Sequence, residues 1–412
     1  MPFVLYVLAL AVFAQGTSEF MLAGLVPGLA ADLDVSVSSA GLLTSAFAVG
    51  MVAGAPLMAV WSRRWNVRRA LLGFLGVFVL VHVVGAVTGS FAVLVGTRVV
   101  GALANAGFLA VALTAAAAMV APDAKGRATA VLLSGVTLAC VAGVPAGAAL
   151  GQVWGWRAAF LAVALVSVPA LCALVRCLPR GALGGVDAAV GVRGELGALR
   201  RPRLLTTLLL GALVNGATFC TFTYLAPLIT EVTGFGTAWV PVLLALFGLG
   251  SFLGVTAAGR MADARPVRLL TVGGTVLCAG WVLFALVAKS PVAAVVLVLV
   301  QGALSFGVGT TLIAQALYAA AEAPTLAGGF ATAAFNVGAA LGPWAGGAAL
   351  GAGLGYRAPL WVSALMVALA LVAGAGAGAR TAAARSRARR RQAVAQGGAK
   401  AGGDVARARR AE

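Results

Sequence analysis

Long apolar runs follow one another along the chain, near 3–31, 38–61, 70–89, 91–119, 127–151, 157–178, 204–230, 238–259, 269–288, 292–319, 326–350 and 358–378. Each holds the roughly 20 residues that a helix needs to cross a hydrocarbon layer. The runs are continuous, unlike the alternating ten-residue segments of a membrane barrel. The pattern therefore predicts an all-α membrane protein with twelve transmembrane helices.

Composition removes the soluble alternative. Hydrophobic residues make up 62% of the chain, charged residues 10%, and the mean hydropathy is +1.04. Too few charges remain to clothe a surface in water. The formal charge of +18 would suggest nucleic acid in a soluble protein, but here it reports topology, because Lys and Arg favour cytoplasmic loops. With the N-terminus inside, the inner loops carry Arg63, Arg64, Arg68, Arg69, Lys125, Arg127, Arg176, Arg180, Arg193, Arg200, Arg201, Arg203, Arg260, Arg265 and Arg268. Ten more basic residues follow Gly378, whereas only Arg157, Lys289 and Arg357 fall outside.

Both termini are thus expected in the cytoplasm of a plasma-membrane protein. Residues 379–412 read as a disordered basic tail lying near anionic lipid headgroups, with no nucleic-acid partner. Phe3–Ala14 has the look of a signal core, yet no basic residue precedes it and the apolar pattern runs on past it. It is expected to be the first permanent span. His82 stands alone, and Cys140, Cys172, Cys177, Cys220 and Cys278 lie within or at the ends of spans without paired spacing. No metal site is expected from them.

A shift of 200 positions superposes Gly16 on Gly216, Pro27 on Pro227, Phe47 on Phe247, Gly50 on Gly250, Gly54 on Gly254 and Gly107 on Gly307. Such an internal repeat implies two six-helix halves in parallel orientation with a substrate site at the midplane between them. The expected division is 1–178 for the first half, 179–203 for a cytoplasmic linker, 204–378 for the second half and 379–412 for the tail.

Glu19 lies near the middle of the first apolar run. An ionised side chain at the centre of a span costs roughly 2.5–3.5 kcal/mol, so such a residue marks a substrate, ion or proton path. Gln15 precedes it by one turn on the same face. Arg98, within the fourth run, shares a face with Asn105 through their seven-residue spacing.

Several motifs carry a family resemblance. Gly54 to Arg69, with Arg63, Arg64 and Arg68, and Gly259-Arg260-Met-Ala-Asp263-Ala-Arg265 resemble the Gly-x-x-x-Asp-Arg loop of the major facilitator superfamily, although Arg63 occupies the acidic position of the first copy. Arg98-Val-Val-Gly101 through Asn105 and Gly107 is similar to that family's fourth-helix motif. Ser134-Gly135 through Gly143, Pro145, Gly147 and Gly151 is similar to the fifth-helix signature of its drug antiporters, and Gly342-Pro343 with Gly346-Gly347 repeats that pattern in the eleventh run. Thr17-Ser-Glu19-Phe-Met-Leu-Ala-Gly24-Leu-Val-Pro27 with Ala31-Asp32-Leu33 resembles the first helix of the twelve-helix drug:proton antiporter branch, which includes arabinose, purine and actinomycete-type chloramphenicol exporters.

The resemblance covers about residues 1–375. It implies a monomeric transporter rather than an enzyme, driven by the proton gradient without a cofactor, in which Glu19 exchanges protons with help from Arg98. A small neutral drug such as chloramphenicol is the expected cargo. Its walls are expected to include Gln15, Asn105, Asn215, Phe219, Thr223, Tyr224 and Asn336, while Gly54, Arg64, Arg68, Gly143, Pro145, Gly147, Gly259, Asp263 and Arg265 serve the conformational change. Export of sugars or purine nucleosides, uptake of a sugar or nucleoside, and a membrane-embedded enzyme remain as alternatives.

Overall fold

A computed structural model of the protein describes residues 2–61, 65–121, 125–177, 197, 200–261, 266–320 and 327–377. Arg63, Arg64, Asp263, Arg265, most of the linker and the basic tail lie outside the described residues. We number the helices α1 (Phe3–Phe20), α2 (Val37–Trp61), α3 (Val67–Val87), α4 (Phe91–Ala118), α5 (Lys125–Leu138, continuing as Val144–Trp154), α6 (Trp156–Cys177), α7 (Pro202–Thr223), α8 (Trp239–Met261), α9 (Pro266–Val287), α10 (Pro291–Ala319), α11 (Ala327–Gly351) and α12 (Ala358–Ala377). No strand occurs among the described residues.

Eleven of these helices are long and apolar enough to cross a membrane. The exception is α11, diluted by glycines and by Thr332, Asn336 and Pro343. It is nevertheless a continuous helix of 25 residues packed against α2 and α7. Local chemistry sets the starts. Asn66 accepts the Arg69 amide at 2.8 Å to cap α3, Ser90 caps α4 through Val93, and prolines open α7, α9 and α10, where a missing N–H costs nothing.

Small residues let the helices meet backbone to backbone. A Cβ on Gly50 would press on the Val99 carbonyl and one on Gly54 on Ala106, joining α2 to α4; Gly250 and Gly254 press on Leu299 and Ala303, joining α8 to α10. The sequence repeat at an offset of 200 thus corresponds to one packing used twice. One large apolar cluster gathers Leu8, Phe78, Phe108 and Phe160 from α1–α6, and a second gathers Leu243, Trp281, Phe284 and Leu360 from α7–α12 together with Ala23, Val144 and Ala148 of the first half.

The first apolar run is broken rather than straight. After Phe20 the chain makes a 3-10 turn over Met21–Gly24 and a short helix over Val26–Asp32, because Pro27 has no N–H to give the Ala23 carbonyl. Its repeat mate behaves alike. Following α7 comes a short helix at Leu225–Leu228 holding Pro227, then a π-turn at Ile229–Thr233. In α5 a π-turn at Ala139–Gly143 precedes Pro145, which withdraws another i−4 bond.

Candidate functional site

The polar heart of the bundle is built where α1 stops. The last α-type bond runs from the Met21 amide to the Thr17 carbonyl, so the Ser18 carbonyl is the first one released from the ladder. Arg98 of α4 fills that vacancy. Its Nη2 donates to the Ser18 carbonyl at 3.0 Å and its Nη1 to Ser18 Oγ at 2.8 Å. The guanidinium also lies 4.3 Å from the Phe47 ring centroid on α2, a cation–π contact in a buried site. Arg98 is 2% exposed, and its Nε finds no partner.

His82 of α3 completes the network. Its Nε2 lies 2.6 Å from Ser18 Oγ and its Nδ1 2.7 Å from the Phe78 carbonyl. A carbonyl only accepts, so Nδ1 carries a proton and Nε2 of the neutral ring accepts from Ser18. With the ring neutral, the direction of the chain follows: Arg98 donates to Ser18, Ser18 to His82, and His82 to Phe78. Phe78 and Phe160 enclose the imidazole with ring centroids 4.1 and 5.8 Å away.

Glu19 follows Ser18 directly and is half-buried. Arg98 makes no ion pair with it, although it hydrogen-bonds the residue next to it, Ser18. Gln15, one turn back, is 1% exposed with both amide atoms unpartnered. Asn105 is buried two turns along α4 from Arg98.

The expected ligand-facing residues divide. Phe219 belongs to an aromatic cluster in which its ring stands 5.6 Å from Phe20 and 6.4 Å from Phe222, while Phe222 stands 4.8 Å from Phe247. Together with Phe306, Cys140, Thr218, Gly248 and Ser251 these rings enclose a cavity of about 10 Å³, room for roughly one water. Thr223 is buried with a free hydroxyl. The amides of Asn215 and Asn336 are already engaged, donating to the Phe335 and Thr332 carbonyls at 2.7 and 3.0 Å. Tyr224 donates to the Pro343 carbonyl at 2.9 Å. A larger cavity of about 660 Å³, between α8, α9 and α10, is lined by Leu253, Val272, Val308 and other apolar residues, together with Arg268. It lies away from every charged or hydrogen-bonded group of the α1–α4 network.

Of the conformational motif residues, Gly143 faces Thr17 and Gly147 faces Met21, so α5 closes on α1 beside the network. Arg68 donates to the Val175 carbonyl of α6 at 2.6 Å. Gly54 is buried against α4 and Gly259 lies in the last turns of α8. Sequence reasoning did not pair Ser18 with His82, nor single out Phe222, Phe247 and Phe306 as one cluster with Phe20.

Asp32 is no part of the network. It sits beyond the 3-10 turn, half exposed, and accepts from Arg157 and from Trp156 Nε1, the latter at 3.0 Å. The Arg157 hydrogen bond, then that of Trp156, holds its carboxyl below the usual carboxylate value. A lowered value means the pair stabilises the fold above the ordinary carboxylate range and loses that contribution as pH falls through the lowered value. Asp32→Asn is expected to leave transport intact and cost about 0–1 kcal/mol, since both side chains are more than a third exposed and water screens them. A thermal melt in detergent at neutral pH, beside an efflux assay, checks both parts.

The family described as the Major Facilitator Superfamily matches residues 8–328. A chloramphenicol resistance protein of Streptomyces lividans is 57% identical over 372 residues, spanning 90% of this chain and 95% of its own. The inner membrane transport protein YdhP of Escherichia coli is 36% identical over 89% of this chain and 94% of its own, and a chloramphenicol efflux pump of Mycobacterium tuberculosis is 32% identical over 83% and 84%. Among solved structures, a bacterial homolog of the human lysosomal transporter Spinster, inward-facing and occupied, covers 90% of the chain with a TM-score of 0.73 at 18% identity. That last likeness concerns the fold.

Proposed function

This chain belongs to the Major Facilitator Superfamily, and on that premise we propose that it exports chloramphenicol from the cell in exchange for protons. The Streptomyces relative supports the cargo, being similar along nearly the whole chain. The observation that carries the coupling is a carboxylate at the break of α1, beside a buried guanidinium, in a bundle where the buried polar groups of the other half are, among the described residues, neutral ones such as Thr221, Gln301, Thr311 and Ser363.

In this reading the halves 1–178 and 204–378 rock about the site, both termini stay in the cytoplasm, and no cofactor enters the cycle. Glu19 takes up a proton when the site faces outward and releases it inward, where the drug loads. Chloramphenicol is neutral, with a nitrophenyl ring and hydroxyl and amide groups. The rings of Phe20, Phe219, Phe222 and Phe247 offer apolar walls for the nitrophenyl group, and the unpartnered amide of Gln15 and hydroxyl of Thr223 offer polar contacts. Because the aromatic cavity has room for only about one water, the rings must part to admit the drug.

Expression is expected to lower chloramphenicol accumulation in energised cells several-fold, and a protonophore is expected to restore it. Equal accumulation with and without a well-expressed protein would remove chloramphenicol and raise the sugar and purine alternatives. Acetylated or phosphorylated drug made by the purified protein would point to an enzyme.

A further inference from the structure

The α1–α4 network contains two side chains to which proton exchange assigns no task, Ser18 and His82. Both are buried, at 0% and 3% exposure, and both have every polar atom engaged. Their arrangement is costly for a merely apolar core, since each polar group in a membrane interior must find a partner. The chain of donors runs one way, and it ends on a backbone carbonyl of α3. His82 is thereby an anchor: the Phe78 carbonyl sets its tautomer, its Nε2 then takes the Ser18 proton, and the Ser18 oxygen is left turned toward Arg98.

We propose that Ser18 and His82 are positioning residues that hold the Arg98 guanidinium on Ser18 and keep it from closing on the neighbouring Glu19 carboxylate. This rests on the reading of Glu19 as the coupling group. A guanidinium in direct contact favours the charged form of a carboxylate strongly, and a buried pair of that kind is hard to part. Tied to Ser18, one residue away, Arg98 supplies a field without forming the pair. Phe47 on one side and the released Ser18 carbonyl on the other fix its plane. Around His82 the groups are Ser18 from α1, Gly101 from α4 and Phe160 from α6, with Arg98 of α4 bound to the same Ser18 hydroxyl; of these only Arg98 carries charge. The imidazole serves as an acceptor, and its own titration is not required.

The test is the pH profile of drug efflux in vesicles with equal protein content, for wild type, His82→Leu, His82→Gln and Ser18→Ala. His82→Leu removes the acceptor, and Ser18→Ala removes the hydroxyl while keeping the backbone carbonyl. Either frees the guanidinium to approach Glu19, so more acid is needed to protonate the carboxylate. The pH of half-maximal coupled efflux is expected to move down by about one unit or more, the size of effect of an opposite charge within reach. His82→Gln places Oε1 where Nε2 stood and is expected to return the profile to within about half of that shift. An unmoved profile in His82→Leu, or a His82→Gln profile equal to that of His82→Leu, overturns the proposal. Should His82→Leu fail to insert, Ser18→Ala alone decides, by the same criterion. Glu19→Gln in the same assay separates the readings: retained proton-driven efflux there sinks the coupling role and this inference with it, whereas lost efflux together with unmoved Ser18 and His82 profiles sinks this inference only.

Discussion

Glu19→Gln is expected to abolish efflux driven by an imposed pH gradient while leaving the protein inserted and folded. Glutamine keeps the size and the hydrogen-bonding capacity of the side chain but cannot release a proton. Because Glu19 is half-buried and makes no ion pair, its charge is not needed to satisfy Arg98, whose hydrogen bonds go to Ser18. Stability should therefore change little, in contrast to the 3–5 kcal/mol cost of breaking a buried ion pair. Glu19→Asp, with an acid on a shorter arm, is expected to be impaired less. Protein abundance and gradient-driven efflux measured on the same vesicles separate the two roles. If abundance falls in step with efflux, Glu19 is structural; wild-type coupling at normal abundance would take it out of the proton path altogether.

That separation was only half legible in the sequence. Glu19 and Arg98 stand out because charges within apolar runs are rare and expensive, and the runs themselves are visible because a bilayer dictates their length. The partnership of Ser18 with His82 and Arg98 spans 64 and 80 positions. It depends on the rotation of three helices and on the release of one carbonyl at the end of α1. A pattern of hydrophobic positions contains neither.

The opposite difficulty hid the aromatic cluster. Eighteen phenylalanines in an apolar chain carry no mark that separates Phe222, Phe247 and Phe306, at the centre, from Phe3 or Phe252, exposed on the outside of the bundle. The polarity of Asn215 and Asn336 suggests a ligand, while in a membrane helix a polar side chain also takes a nearby backbone carbonyl, as both do here with carbonyls of α11. Prolines were more informative than their single letters suggest. Pro27, Pro145 and Pro227 each stand beside a 3-10 or π-turn, and two of these breaks flank the site.

Gly41→Val is expected to shift the protein toward a state open at the end carrying the α1–α2 connection, the outer end by the distribution of basic residues. There the halves are held by Ser38 Oγ on the Gly347 carbonyl at 2.6 Å, Ser45 Oγ on Ala340 at 2.7 Å, and Gln152 on Thr237 at 2.6 Å. Tyr224 is the bolt of this seam. Its ring is 1% exposed, its hydroxyl reaches Pro343, and it fits between Gly41 of α2 and Gly346 and Gly347 of α11. A Cβ at Gly41 would stand 2.6 Å from Tyr224 Cε1, and on the far side a Cβ at Gly346 would be 3.1 Å from Cε2, so the ring has no room to retreat. Overfilling such a contact costs about 1–3 kcal/mol, which is roughly a 5- to 150-fold change in the closed-to-open ratio. Cys220, fully buried beneath the seam, reports it: in a variant keeping only that cysteine, labelling by a membrane-impermeant thiol reagent added outside should rise and efflux should fall. Tyr224→Ala in the same chain makes space for the valine and should reverse part of both effects. Unchanged labelling and efflux in Gly41→Val would show that this seam does not close the outer path.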